Sequence, residues 1–328
     1  MPDTYNILIT YRPGEEKRNR LGRLFGSEAK LTFLADLPPV VREQALQDTD
    51  VVLTWNLRRE LVQSELGLLK KVRLIQLLSA GADAVPFDGL RSDITIASNA
   101  GAYAEAMAEH VLAMALALSK NLVSEHQNLG RGEFNQTRLN TVLRGGICGI
   151  VGYGGIGRAT ARLMRALGMR IYAINSNGRA EEAADFIGTL ADLRTVLSLS
   201  DVVVLSLPLT KRTRGRIGKT ELDWMKHDAV LINVARAAIV DEAALYAHLV
   251  NYPRFRAGID VWWIEPFSEG EFRTDYPFLT LPNVVGSPHN AAMAPGVTDE
   301  GTRRAVENVK QFMSNGQVKG IVQRDDYL

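Results

Sequence analysis

The sequence predicts two α/β domains, each a parallel sheet covered by helices. At 328 residues the chain has the length of two ordinary domains. Over its first hundred residues, short β-rich runs alternate with amphipathic stretches, the pattern of strands joined by helical crossovers. A second alternation of the same kind, with stronger strands, begins at "GICGIVG".

In the first half the strand candidates are "NILITY" (6–11), "LTFLAD" (31–36), "DVVLTW" (50–55), "RLIQLLS" (73–79) and "ITIAS" (94–98). A long Ala/Met/Leu-rich helix is expected from about 102 to 120. Its apolar run "VLAMALAL" (111–118) is too short to span a bilayer and reads as a buried segment. Residues 121–144 are more polar and less periodic, as in an arm or linker. The second alternation continues through "RIYAIN", "DVVVLSL", "AVLINV", "RAGIDV" and "NVVGS", and the tail from about 291 is helical in pattern. No internal repeat at solenoid spacing interrupts it.

Composition narrows the function classes. The chain is 46% hydrophobic and 23% charged, and 38 basic residues balance 37 acidic ones to a net charge of +1. That balance gives no global attraction to nucleic acid or to an anionic membrane. A single cysteine, Cys148, rules out an intramolecular disulfide or a cysteine metal cluster, and no metal site is expected. It lies in an apolar strand and reads as a small core residue. The N-terminal stretch carries Asp3 and runs directly into apolar alternation without a basic leader, so a cytoplasmic protein is expected.

The sharpest local motif is "GIVGYGGIGRATARLMRALGMRIYAIN". An apolar strand runs into Gly152, Gly154 and Gly157 spaced as GxGxxG, and a helix follows with Ile156, Ala159, Leu163 and Leu167 on one face. The first glycine makes a tight turn, the second admits a pyrophosphate to the backbone, and the third lets helix and strand pack closely. Free N–H groups and the dipole at the helix start attract phosphate. Strand, turn, helix and strand in this order read as a dinucleotide site. Its ribose end is unusual. Asn175, 18 residues after Gly157, occupies the place of the acid that binds the 2′-hydroxyl of NAD. Asparagine does not repel a 2′-phosphate, and Ser176, Asn177 and Arg179 follow to bind one, so NADP is favoured over NAD. In the alternative, Asn175 bonds the hydroxyls of NAD and Arg179 points to solvent.

Three further segments carry polar residues just after strands: Arg236 in "LINVARAAIVDEAAL", Glu265 in "AGIDVWWIEP" and His289 in "PNVVGSPHNAA". Ligands of open α/β sheets bind at such carboxyl ends. Together with "SAGAD" (79–83), "AEHVLAMALAL" (108–118), the glycine turn and "DVVVLSLPLTKRTRGRI" (201–217), these segments resemble the D-isomer-specific 2-hydroxyacid dehydrogenase family over nearly the whole chain. The resemblance implies a Rossmann cofactor domain over about 100–290. It also implies a discontinuous, flavodoxin-like substrate domain from 1–99 and 291–328, and a homodimer with the 102–144 helix and arm as interface. Further cofactor contacts implied are Gly155 and Ile156, then Ser206, Leu207, Pro208 and Thr213, then Val234, Ala235 and Asp260. Backbone N–H groups around Ala80 and Gly81 are implied to hold the substrate carboxylate.

The chemistry agrees with that resemblance on independent grounds. Reduction of a 2-keto acid needs a hydride, a proton for the carbonyl oxygen and a clamp for the carboxylate. His289 is the natural proton donor because imidazole titrates near working pH. Glu265, hydrogen-bonded to the other ring nitrogen, would favour the imidazolium and orient it. The planar fork of Arg236 suits carboxylate and carbonyl oxygens. Small 2-keto or 2-hydroxy acids are the expected substrates, glyoxylate and hydroxypyruvate first. Two other readings keep the fold: a phosphite-type dehydrogenase and a nucleotide-sensing, corepressor-like binding protein. A formate enzyme is disfavoured, because that group has Gln where Glu265 stands.

Other residues have plainer readings. His110 beside Glu109 suggests a polar contact rather than a metal or acid–base pair. His126, His227 and His248 have no motif around them. Trp262 and Trp263 either border the substrate or pack the core. Asp260 is expected to meet the nicotinamide ribose or amide. The basic run 211–216 is a solvated loop or a neighbour of the adenosine end. Ala237 departs from the family's glycine after the arginine and predicts a slightly different backbone at Arg236.

Overall fold

The computed structural model describes residues 4–180, 182 and 184–328; Asp3 lies outside them. The chain divides into two compact units, 1–102 with 295–328, and 103–294.

The first unit is built on five parallel strands: β1 (Tyr5–Ile9), β2 (Ala29–Phe33), β3 (Val51–Thr54), β4 (Leu74–Leu77) and β5 (Thr95–Ala97). Their order is β2-β1-β3-β4-β5, the flavodoxin-like arrangement. The central strands β3 and β4 are buried at every residue, as expected where helices cover both faces of a parallel sheet. Gln76, buried in β4, donates to the carbonyls of Leu77 and Ala97 and accepts from Asn308 Nδ2 at 2.7 Å. Asn308 belongs to the helix Val297–Asn315, whose Ala305, Val306, Val309 and Met313 pack against Ile7, Ile9, Leu53 and Leu74. The distant C-terminal segment thus completes the core of the N-terminal sheet. Gly316, at φ 75, closes this helix in the left-handed conformation that suits glycine.

The second unit holds seven parallel strands: β6 (Ile147–Val151), β7 (Arg170–Ile174), β8 (Phe186–Gly188), β9 (Val202–Leu205), β10 (Val230–Asn233), β11 (Arg256–Ile259) and β12 (Val284–Gly286). Their order is β12-β11-β10-β9-β6-β7-β8, the doubly wound Rossmann pattern with one added edge strand. Register is what positions the site. Val151 pairs with Ile174 and Leu205, Leu205 with Asn233, Asn233 with Ile259, and Ile259 with Gly286. These strand ends form one row across the sheet, so the residue after each emerges at the same edge.

Two segments depart from the sequence-based expectation. β8 is a strand that the sequence pattern does not mark; of its three residues only Gly188 is buried. Residues 121–144 are not all linker, because Leu122–Gly130 is helical, with Ser124 its buried residue. The helix Ala104–Ser119 buries Ala108, Val111, Met114, Ala115 and Leu118. Its C-terminal end is tied to the sheet by Arg256. That guanidinium reaches the carbonyls of Leu118 and Asp228 and the hydroxyl of Thr141 at 3.0–3.2 Å. Among the described residues no helix is long and apolar enough to cross a membrane.

Candidate functional site

The site begins at the row of strand ends in the second unit. Asn175, Gly152, Ser206, Val234, Asp260 and Ser287 each follow one of these ends. Arg236, Glu265 and His289 stand three to six residues past the last residues of β10, β11 and β12.

The three motif glycines differ physically. Gly152 has φ 108, and a Cβ there would lie 2.5 Å from the Leu207 nitrogen. A Cβ on Gly157 would run into the Gly152 carbonyl oxygen. Gly154 meets nothing within 4 Å, so packing does not require it to be glycine. What its missing side chain leaves open is the backbone at the start of the helix Gly155–Ala166, where Ile156 is half-buried. Free N–H groups at such a start bind phosphate, so this cradle fits the pyrophosphate of a dinucleotide. Ser206 steadies it, its hydroxyl donating to the Gly152 carbonyl at 2.9 Å.

At the ribose end, Asn175 shapes its own loop. Its Oδ1 accepts from the N–H groups of Asn177 and Gly178 at 3.2 and 2.7 Å, and its amide donates to the Arg179 carbonyl at 2.6 Å. The expectation that this amide serves the ribose therefore meets a side chain already engaged by the turn, leaving Ser176 and Arg179 exposed on it. Thr213 is similarly occupied: its hydroxyl donates to the Pro208 carbonyl at 2.7 Å and accepts from Thr210 N at 2.8 Å. Leu207 is buried. The neighbouring cations Lys211, Arg212 and Arg214 are exposed, whereas Thr213 between them is buried.

Arg236 is delivered by β10. Asn233, which the sequence pattern does not single out, bonds both sides of the turn. Its Oδ1 accepts from Ala235 N and its Nδ2 donates to the Arg236 carbonyl, each at 3.0 Å. Val234 and Ala235 are buried, and the Arg236 guanidinium donates to the Ala235 carbonyl at 2.8 Å. Ala237 opens a short 3-10 turn (Ala237–Ile239) and is not among the positive-φ residues, so alanine fits there without strain.

His289 and Glu265 meet across 24 residues of sequence, with Nδ1 2.8 Å from Oε2. The other carboxylate oxygen of Glu265 accepts from Trp262 N at 2.7 Å, which fixes its rotation. The His289 side chain is 29% exposed and that of Glu265 14%, so the ring reaches solvent while its partner is largely sheltered. His289 also has φ 51, one of only two non-glycine residues with positive φ among those described.

The backbone N–H of His289 donates to the Asp260 carbonyl at 2.7 Å, which joins this loop to the end of β11. Asp260 itself is fully buried and spends its carboxylate on the loop, accepting from Asn290 N at 3.1 Å and Ala291 N at 3.2 Å. Trp262 and Trp263 pack and brace: their indole N–H groups donate to the carbonyls of Ser287 and Val240 at 2.8 and 2.9 Å.

Ala80 and Gly81 belong to the first unit, in the turn after β4. There the Ser79 hydroxyl donates to the Gly81 carbonyl at 2.8 Å. Cys148 is buried in β6 and its thiol is pushed up to about 12 by burial. His248 is buried among Tyr252 and Phe255, where burial holds it below the usual imidazole range.

Comparison with known proteins assigns the family. The family described as D-isomer specific 2-hydroxyacid dehydrogenase, NAD binding domain, matches residues 112–291. The chain is 31% identical to a glycerate dehydrogenase of Methylorubrum extorquens over 78% of its own length and 80% of the relative's. It is 30% identical to a glyoxylate reductase of Aeropyrum pernix, covering 78% and 77% of the two chains. The crystal structure of a glyoxylate reductase from Paecilomyes thermophila superposes with a TM-score of 0.82 at 25% identity, over 99% of this chain and 100% of that one. The chain belongs to the D-isomer specific 2-hydroxyacid dehydrogenase family and is a nicotinamide-dinucleotide-dependent oxidoreductase of 2-hydroxy acids.

Proposed function

We propose that the protein reduces glyoxylate or hydroxypyruvate, or oxidises the corresponding 2-hydroxy acid, with NADP preferred over NAD. The observation that carries the reading is the pairing of His289 Nδ1 with the Glu265 carboxylate at 2.8 Å, at the edge of the sheet that holds the glycine turn. A neutral ring with its Nδ1 proton on Glu265 presents the Nε2 lone pair to the proton of an alcohol. In the reverse direction the protonated ring donates from Nε2 to a carbonyl oxygen, and the Glu265 carboxylate offsets the cation. A bound nicotinamide supplies or accepts the hydride. Arg236, its backbone turn braced by Asn233, holds the substrate carboxylate. The part proposed for Ala80 and Gly81, carboxylate binding through backbone N–H groups, rests on the family pattern alone.

The substrate choice is supported by the relatives, which include glycerate dehydrogenase and glyoxylate reductase. The cofactor choice is supported by the loop after β7, which carries Ser176 and Arg179 exposed and no acid at Asn175. A panel of 2-keto acids assayed with NADPH and NADH tests both. Turnover of glyoxylate or hydroxypyruvate, with kcat/KM higher for NADPH, is expected. Preference for NADH would overturn the cofactor choice, and selective turnover of a different acid would overturn the substrate choice.

We also propose a homodimer joined through the 102–144 helix and arm. Phe134, Leu139 and Val142 are 76%, 91% and 72% exposed there, apolar surface that a second copy would cover. Light scattering on the eluted protein should give twice the chain mass, and a monomer would overturn the assignment.

A further inference from the structure

His110 lies on the helix Ala104–Ser119, far in sequence from the loop that carries His289. In the folded unit its Nε2 stands 2.9 Å from the Ser287 hydroxyl. That hydroxyl donates to Asp260 Oδ1 at 2.5 Å. A serine has one hydroxyl proton, and here the carboxylate takes it. The contact with His110 must then run the other way, with Nε2–H donating to Ser287 Oγ. This places the His110 proton on Nε2 in its neutral form. Asp260 in turn binds Asn290 N and Ala291 N through its carboxylate, and His289 N through its carbonyl. The chain of contacts therefore ends on the residue whose backbone occupies the costly left-handed region at φ 51.

We propose that His110 is a positioning residue for the dehydrogenase reaction. Its Nε2–H orients the Ser287 hydroxyl onto Asp260, and the carboxylate so held keeps the 289–291 turn in the conformation that sets His289 Nδ1 against Glu265. This rests on the acid–base role given to His289 above. His110 itself touches none of the reacting atoms in this assignment. Without its N–H, the Ser287 hydroxyl loses the partner that fixes its direction, and the buried carboxylate no longer has a hydroxyl proton reserved for it. The Trp262 indole still holds the Ser287 carbonyl, so the loop remains folded but less tightly set.

The test pairs kinetics with a readout that needs no turnover. Histidine-labelled 15N protein contains five histidines, whose ring nitrogens report tautomer directly. In the unaltered protein the neutral ring of His110 should carry its proton on Nε2 and that of His289 on Nδ1. His110→Leu should lower kcat for glyoxylate by about fivefold to tenfold, the worth of one hydrogen bond, with KM changed less than about twofold. The His289 signals should shift toward a mixture of tautomers. His110→Gln, whose side-chain amide can reach the same hydroxyl, should restore both readouts. Ser287→Ala should reproduce the loss and carries the test if His110→Leu does not fold. His289 signals unchanged in His110→Leu and in Ser287→Ala would overturn the proposal, as would a Gln variant no better than Leu. The spectra decide this even if glyoxylate is not a substrate, an outcome that would count against the substrate reading alone.

Discussion

Gly154→Ala and Gly157→Ala separate the two jobs of the glycine turn. At Gly154 an added Cβ meets no atom within 4 Å, and the backbone has φ −91, which alanine adopts readily. Stability without cofactor should therefore change by less than about 1 kcal/mol. The methyl would instead stand where a pyrophosphate approaches the backbone. An overpacking cost of about 2.3 kcal/mol, within the usual range, weakens cofactor binding about fiftyfold. At a concentration about one hundred times the wild-type Kd, the cofactor stabilises the wild-type protein by about 2.7 kcal/mol and the variant by only about 0.6 kcal/mol. At Gly157 the Cβ collides with the Gly152 carbonyl inside the protein, so the cost falls on folding. Overpacking of about 1–3 kcal/mol should lower Tm by about 2–12 °C for a unit of this size. Thermal melts with and without NADPH, beside a fluorescence titration, read both effects. Wild-type cofactor affinity in Gly154→Ala, or equal loss of apo stability in the two variants, would refute the assignment of the cradle.

Three other perturbations follow from the same geometry. Glu265→Gln removes the carboxylate that holds and orients the His289 ring, so kcat for reduction should fall while the Kd for NADPH stays within about twofold; wild-type kcat in Glu265→Gln would dissociate the pair. Cys148, buried with its thiol pushed up to about 12, should resist an aromatic disulfide reagent at about pH 8 in the native state and react with one equivalent in guanidinium; rapid native reaction would place it elsewhere. Arg179→Ala should raise KM for NADPH about tenfold while leaving NADH unaffected, since only the phosphorylated ribose offers that cation a strong partner; equal effects on both cofactors would remove Arg179 from discrimination.

The strands of both sheets are legible in the sequence because parallel, doubly covered strands need continuous Val, Ile and Leu, as in "VVLT" and "VVVL". β8, three residues with modest burial, has no such signature. Arg236, Glu265 and His289 are legible as polar residues just beyond apolar runs. Their supports are not, since those contacts depend on the fold: Asn233 acts as the end of a strand, and Ser287 and His110 are 177 residues apart. Asn175 shows the opposite limit. Its position matches the ribose-binding acid, whereas its hydrogen bonds serve the turn, a distinction that depends on side-chain direction rather than spacing. Asp260 likewise reads as a cofactor contact from its place at a strand end, and its buried carboxylate is spent on the loop that carries His289.

The most direct test of the account compares oxidation of NADPH by the wild-type protein and by His289→Gln in the presence of glyoxylate, with cofactor affinity measured on both. General acid–base catalysis by a positioned histidine is worth about a hundredfold to ten-thousandfold, so kcat should fall by that factor while the Kd for NADPH stays within about twofold. Turnover by His289→Gln close to wild type would contradict the central claim that this ring carries the proton.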